Sequence, residues 1–225
     1  WHNGFDNGWS GWERIGGMLT DAPAATARAT GPDAEVLALG ADSAVHLWQG
    51  EATERSVSKV RIHAKVLAEP DVPVAESVAR MTRVYGAAGI SVELASTEEL
   101  DLPGLKDVDV GQCTVGRTTS EQEGLFAHRS GADGTDVVVY FVRSTVPPLN
   151  GCAAHPPGLP SVVVAQGATA WTLAHEVGHV LGLRHVDDND RLMTGNGTRN
   201  ITNPPPELVP DEVGTVVRSR FSLEP

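Results

Sequence analysis

Eleven consecutive residues hold three histidines, one glutamate and two glycines at spacings that can do chemistry: His175-Glu176-Val177-Gly178-His179-Val180-Leu181-Gly182-Leu183-Arg184-His185. In a helix of ~3.6 residues per turn, His175 and His179 project from one face, a turn apart. Both imidazoles can then reach one metal ion at ~2.0–2.1 Å. Glu176 follows the first of them, where it can lean over the metal instead of binding it. Gly182 can end the helix, because glycine takes a left-handed backbone cheaply. The turn can then bring His185 back as a third ligand. Three protein ligands leave a fourth position for water, which separates a catalytic zinc from a structural one. The chemistry on offer is hydrolysis, with a zinc-activated water as nucleophile and Glu176 as its general base. The plain alternative is an amphipathic helix with Leu173, Val177, Val180 and Leu181 as its core stripe. Stripe and ligands can share one helix.

Downstream lies Arg191-Leu192-Met193-Thr194-Gly195, with Met193 eight residues after His185. A buried Met there would give the imidazoles a soft, apolar floor. Together the two stretches resemble the metzincin zinc endopeptidases, whose signature is His-Glu-x-x-His-x-x-Gly-x-x-His followed by a Met-turn. The resemblance implies Zn2+ on His175, His179 and His185, Glu176 as catalytic base, and a structural Met-turn at Met193. It also implies an extended polypeptide substrate added to a sheet edge, here near Cys152, Ala153 and Ala154. In related folds a Tyr after the Met sometimes assists the oxyanion, but none follows Met193.

Periodicity shows the elements that hold these residues in place. Residues 60–67 alternate as a strand. Pro73 opens a helix with apolar positions at Val74, Val78, Met81, Tyr85 and Ala88, stopped at Gly89. Residues 90–94 form the next strand, and 96–135 read as irregular. Residues 136–142 and 161–166 are continuous apolar strands, as expected where both faces of a sheet are covered. Residues 151–155 form a short edge strand, and the zinc helix begins near Thr169. A last helix spans 210–219 and presents Val213, Val216 and Val217 inward. The expected fold class is α+β: a metzincin-like mixed twisted sheet with an active-site helix and a C-terminal helix, over residues 55–225.

Residues 1–54 differ. They hold Trp1, Trp9, Trp12 and Trp48, four of the five Trp. Short apolar runs alternate with Gly and Asp turns, which reads as three or four short antiparallel strands. Gly8 to Trp12, Gly16 to Ala24, and Gly40 through Trp48 resemble one blade of the bacterial lectin-like β-propellers. That resemblance implies a glycan partner through exposed Trp, or a blade packed by the same Trp. A single blade cannot bury both faces, so either the chain is a piece of a longer one, or the blade packs on the other domain or on a copy of itself as a homo-oligomer.

Composition sets the outer limits. Charged residues are 20% and apolar residues 40% of the 225, which predicts a packed core. The net charge of −12 offers no basic footprint for nucleic acid and would repel anionic membranes. No apolar run is long enough to span a bilayer. The chain starts at Trp1 without a Met or basic leader, as a processed or trimmed chain would. Three Lys stand among 17 basic residues, with abundant Ala, Gly and Val, a composition of GC-rich bacteria. Cys113 and Cys152 suit one disulfide in a secreted protein, with two buried thiols or a latency-keeping thiolate on zinc as the other options. Asp187-Asp188-Asn189-Asp190 could offer calcium oxygen ligands but lacks the spacing of a calcium loop. His63 and His128 are expected to be structural or on the surface.

Three other functions stay open at this level. One is a sugar- or partner-binding protein on an inactive zinc scaffold. Another is a zinc hydrolase of a non-peptide amide, and the last a peptidase with a distant Glu as third ligand.

Overall fold

The structure is a computed structural model. It describes residues 58–114 and 116–221 in full, and of residues 1–57 the backbone of five strands. The chain divides into two compact units, Trp1–Arg55 and Ser56–Pro225.

In the first unit the strands are β1 (His2–Phe5), β2 (Trp9–Glu13), β3 (Ala24–Ala27), β4 (Asp33–Leu39) and β5 (Val45–Glu51). All pair antiparallel, as the alternation predicts, but in two sheets, β1-β2 and β3-β4-β5. A propeller blade is one four-stranded sheet, so this pairing does not support the blade resemblance. The connecting turn motifs, and the side chains of Trp1, Trp9, Trp12 and Trp48 on which a glycan site would depend, lie outside the described residues.

The second unit is a layered α/β structure. Its elements are β6 (Lys59–Val66), α1 (Val74–Ala87), β7 (Ser91–Glu99), β8 (Asp107–Asp109), α2 (Ser120–Phe126), β9 (Val137–Val142), β10 (Ser144–Val146), β11 (Gly151–Cys152), β12 (Ser161–Ala165), α3 (Thr172–Val180) and α4 (Pro210–Val217). The main sheet runs β11-β12-β9-β6-β7. Every pairing in it is parallel except β11 with β12, where Gly151 faces Val164 and Cys152 faces Val163. β11 is therefore an antiparallel edge.

Alternation along the strands fixes which layer each residue joins. Val137, Val139 and Phe141 of β9 and Val162 and Val164 of β12 face one side, against Met81 and Tyr85 of α1, Leu173 and Val177 of α3, and Val216 of α4. Val138, Tyr140, Val142 and Val163 face the other, against Leu125 and Phe126 of α2 and Val108 of β8. The core strands β9 and β12 are buried throughout, as their apolar runs require. On β6 the apolar residues join the helical layer, while Arg61, His63 and Lys65 point the other way. There His63 bonds Ser96 (2.7 Å) and Asp136 (3.0 Å), and Arg61 pairs with Asp136 (3.1 Å). Lys65, wholly buried, pairs with Glu98 and donates to Ser130 O at 2.8 Å. His63 is thus a buried structural histidine, and His128 is exposed.

Two expectations change, and one pairing is added. The stretch 96–135 is not wholly irregular, since it carries β8, the helix α2 and the end of β7, which runs to Glu99. Parallel pairing of β10 with β8 forms a second, two-stranded sheet. On α4, Val216 is buried but Val217 is 46% exposed, because the helix turns that position outward. None of the described helices is long and apolar enough to cross a membrane.

Candidate metal centre

Helix α3 carries His175, Glu176 and His179, and its end is set by backbone geometry. Gly182 takes φ +101°; Gly182 N donates to His179 O (3.0 Å) and Leu183 N to Gly178 O (2.9 Å). This is the paired bonding of a Schellman stop, which needs a left-handed residue at that point. The stop reverses the chain and brings His185 back toward the helix. A second strap holds it there: Val186 N donates to Met193 O, and Gly195 N to Val186 O, both at 2.9 Å.

The three Nε2 atoms converge. His175 to His179 is 3.2 Å, His175 to His185 is 3.2 Å and His179 to His185 is 3.0 Å. A tetrahedral ion ~2.0–2.1 Å from each nitrogen needs them ~3.3–3.4 Å apart, so the triangle fits zinc with little adjustment. The far side of two rings is fixed. His175 Nδ1 lies 2.7 Å from Leu192 O and His179 Nδ1 lies 2.9 Å from Leu183 O. A carbonyl only accepts, so each Nδ1 carries the proton and each Nε2 presents its lone pair. Burial pushes His175 down to about 4 and lowers His179, while the carbonyl bonds oppose the shift and the neighbouring imidazoles reinforce it. Neutral imidazoles are the form a metal needs. Among the described residues this is the one cluster of three or more potential ligands.

Met193 is fully buried beneath α3. Its sulfur lies where a side chain on Gly178 would begin; a Cβ there would meet Sδ at 2.6 Å. Glycine between the two helical ligands is what lets the Met floor approach. Glu176 points away from that floor, toward β11, and is 8% exposed. Burial alone pushes its carboxyl up to about 8.

A cleft of about 710 Å³ opens over the histidines. Gly151 and Ala153 line one side, Gln112 to Thr114 another, and Arg184 brings the one guanidinium among its lining residues. Cys113 and Cys152 are disulfide-bonded, Cα to Cα 5.6 Å, which ties the Gln112–Thr114 wall to the edge strand. Of the expected substrate edge, Ala153 lines the cleft, whereas Cys152 and Ala154 turn into the opposite core layer. Gln122 Nε2 donates to Ala154 O at 3.4 Å. Gly151 and Ala153 line the cleft together, with Cys152 between them facing the other way, because alternate residues of a strand face opposite sides. The oxygens of the acidic loop accept hydrogen bonds from within the fold. Asp190 takes bonds from Thr202 and Asn203, and Asn189 from Thr194 (2.9 Å).

No family model and no curated protein matches the chain. Solved structures similar to it include archaemetzincin from Methanopyrus kandleri, at 16% identity and TM-score 0.49, covering 73% of this chain and 96% of that one. Another is a zinc-dependent peptidase from Methanocorpusculum labreanum (strain Z), at 16% identity and TM-score 0.38, covering 68% and 92%. Both likenesses are distant in sequence and partial in shape. The functional reading therefore rests on the site: three converging neutral imidazoles that fit a zinc ion, with a buried carboxylate beside them and a cleft above.

Proposed function

We propose that the chain is a secreted zinc-dependent endopeptidase of metzincin type. The observation that carries this is the Nε2 triangle of His175, His179 and His185 with its sides of 3.0–3.2 Å, beside the non-ligating Glu176. Zinc held there supplies a water acidified toward pKa ~7 and a positive charge for the carbonyl oxygen. Glu176 would accept the water's proton and deliver it to the leaving amine. A nearby dication favours the ionised carboxylate, against the effect of burial. An extended peptide would pair with the outward backbone groups of Gly151 and Ala153, which leaves sequence preference to the remaining cleft walls. The Cys113–Cys152 disulfide supports an oxidising, extracellular setting.

The test is zinc-loaded full-length protein incubated with casein, with and without a chelator. Chelation should abolish cleavage and zinc should restore it. Glu176→Ala should retain zinc and lose ~10²–10⁴-fold in turnover, and His179→Ala should lose the metal. Full activity in Glu176→Ala would refute its role as base.

A further inference from the structure

We propose that Gly151, on the edge strand β11, is a positioning residue: it makes the seat in which Glu176 lies. A Cβ built on Gly151 would stand 2.6 Å from Glu176 Cγ, 2.6 Å from Oε1 and 2.8 Å from Cδ. Real carbon contacts do not approach so closely, so one of the two residues would have to move.

The two backbones cannot; the Glu176 carboxyl, which lines the cleft, is the part that would be displaced. The edge strand is fixed on both sides of Gly151. Ala165 N donates to Asn150 O at 2.9 Å, and Cys152 is fully buried and disulfide-bonded to Cys113. Glu176 belongs to α3, whose neighbouring residues Leu173, Ala174 and Val177 are buried in the helical core layer. The carboxyl therefore keeps its place between helix and edge strand only while Gly151 carries a hydrogen there.

Backbone conformation does not explain this glycine. Gly182, Gly197 and others take positive φ, but Gly151 does not. Any L-residue could adopt its backbone, so the need is for space. The consequence is chemical. The residue that lets a substrate strand approach the sheet edge also sets where the carboxylate stands relative to the imidazoles. The catalytic role of Glu176 rests on the proposed function; the contact with Gly151 does not.

The experiment is a double-mutant cycle in the full chain, with Gly151→Ala, Glu176→Ala and the double variant. Zinc content, kcat and KM on a casein-derived fluorogenic peptide, and thermal melting of the metal-free protein are measured. Gly151→Ala should keep zinc and lower kcat by about 10²-fold, the cost of misplacing a catalytic group by ~1 Å, with KM changing much less. In metal-free melts it should lower Tm when Glu176 is present and leave Tm unchanged when residue 176 is already Ala. If Gly151→Ala does not fold, the double variant should, because it removes the clash. Additive effects on melting, a kcat within twofold of the parent, or failure of the double variant to fold would overturn the proposal. Coupled melting in a protein that never cleaves peptide would uphold the contact while the peptidase reading fails.

Discussion

Burial raises the Glu176 carboxyl to about 8 and lowers His175 to about 4, from ordinary values near 4.5 and 6.5. These shifts act on the metal-free protein in opposite directions. Between pH 4.5 and 8 the folded state holds a proton on Glu176 that the unfolded chain has released, so stability falls as pH rises through that window. Between pH 6.5 and 4 the unfolded chain protonates His175 while the folded state resists, so stability falls as pH drops. Glu176→Gln should remove the alkaline-side loss and leave the acid-side loss in place, as urea midpoints from pH 4 to 8 would show. An unchanged slope above pH 6.5 would mean that the carboxyl is not desolvated. Gly178 gives a second test at this scale. Ala there would drive Cβ into the Met193 sulfur, and overpacking of this kind costs ~1–3 kcal/mol. Gly178→Ala should show that loss by denaturation and also weaken zinc binding. The ligands were legible because their spacing is local and helical. The Gly151 contact was not: it joins residues far apart in the chain and depends on the register of an edge strand.

At the scale of elements, α3 works only with its flanks. The Schellman stop, the Val186–Met193 strap and α4 all bear on where His185 stands. Arg191, two residues before Met193, pairs with Glu212 of α4 at 2.8 Å, and their side chains are 19% and 12% exposed. Glu212 also accepts from Val209 N at 3.1 Å, closing the start of α4. Arg191→Ala would leave the partly buried Glu212 carboxylate without its cation, a loss of about 1–3 kcal/mol. Replacing both by apolar residues of similar size should cost less, which equilibrium unfolding of the single and double variants would show. Periodicity revealed the long elements and missed the short or polar ones. Helix α2 has seven residues, too few to show a helical repeat. Its signal was the capping box, in which Thr119 Oγ1 accepts from Gln122 N (3.2 Å) and Gln122 Oε1 accepts from Thr119 N (3.1 Å). β7 runs past residue 94 because Ser96 and Glu98 satisfy His63 and Lys65 across the strand pair. A strand that is polar for this reason reads as a loop.

Over the whole molecule, all of the proposed machinery lies within residues 58–221, and the disulfide separates its two functions. The three ligands and Met193 sit on α3 and the segment after it, outside the loop closed by Cys113 and Cys152. That loop instead carries the far wall of the cleft and the edge strand that seats Glu176. The cysteine pair and the place of Cys152 on the edge strand were visible in the sequence, but the place of Cys113 in the facing wall was not, because that requires α2 and β8 to cover the second face of the sheet. Closing a loop of this length contributes ~3–4 kcal/mol by restricting the unfolded chain. Cys113→Ser/Cys152→Ser, or reduction of the parent, should therefore lower the denaturation midpoint by about that amount. Because the metal ligands are anchored elsewhere, zinc content in native buffer should be unchanged. Peptide cleavage should fall, through KM as the Gln112–Thr114 wall parts from Gly151 and through kcat as the strand that seats Glu176 loosens. Zinc loss in step with reduction would show instead that the cleft wall and the metal site are one cooperative unit.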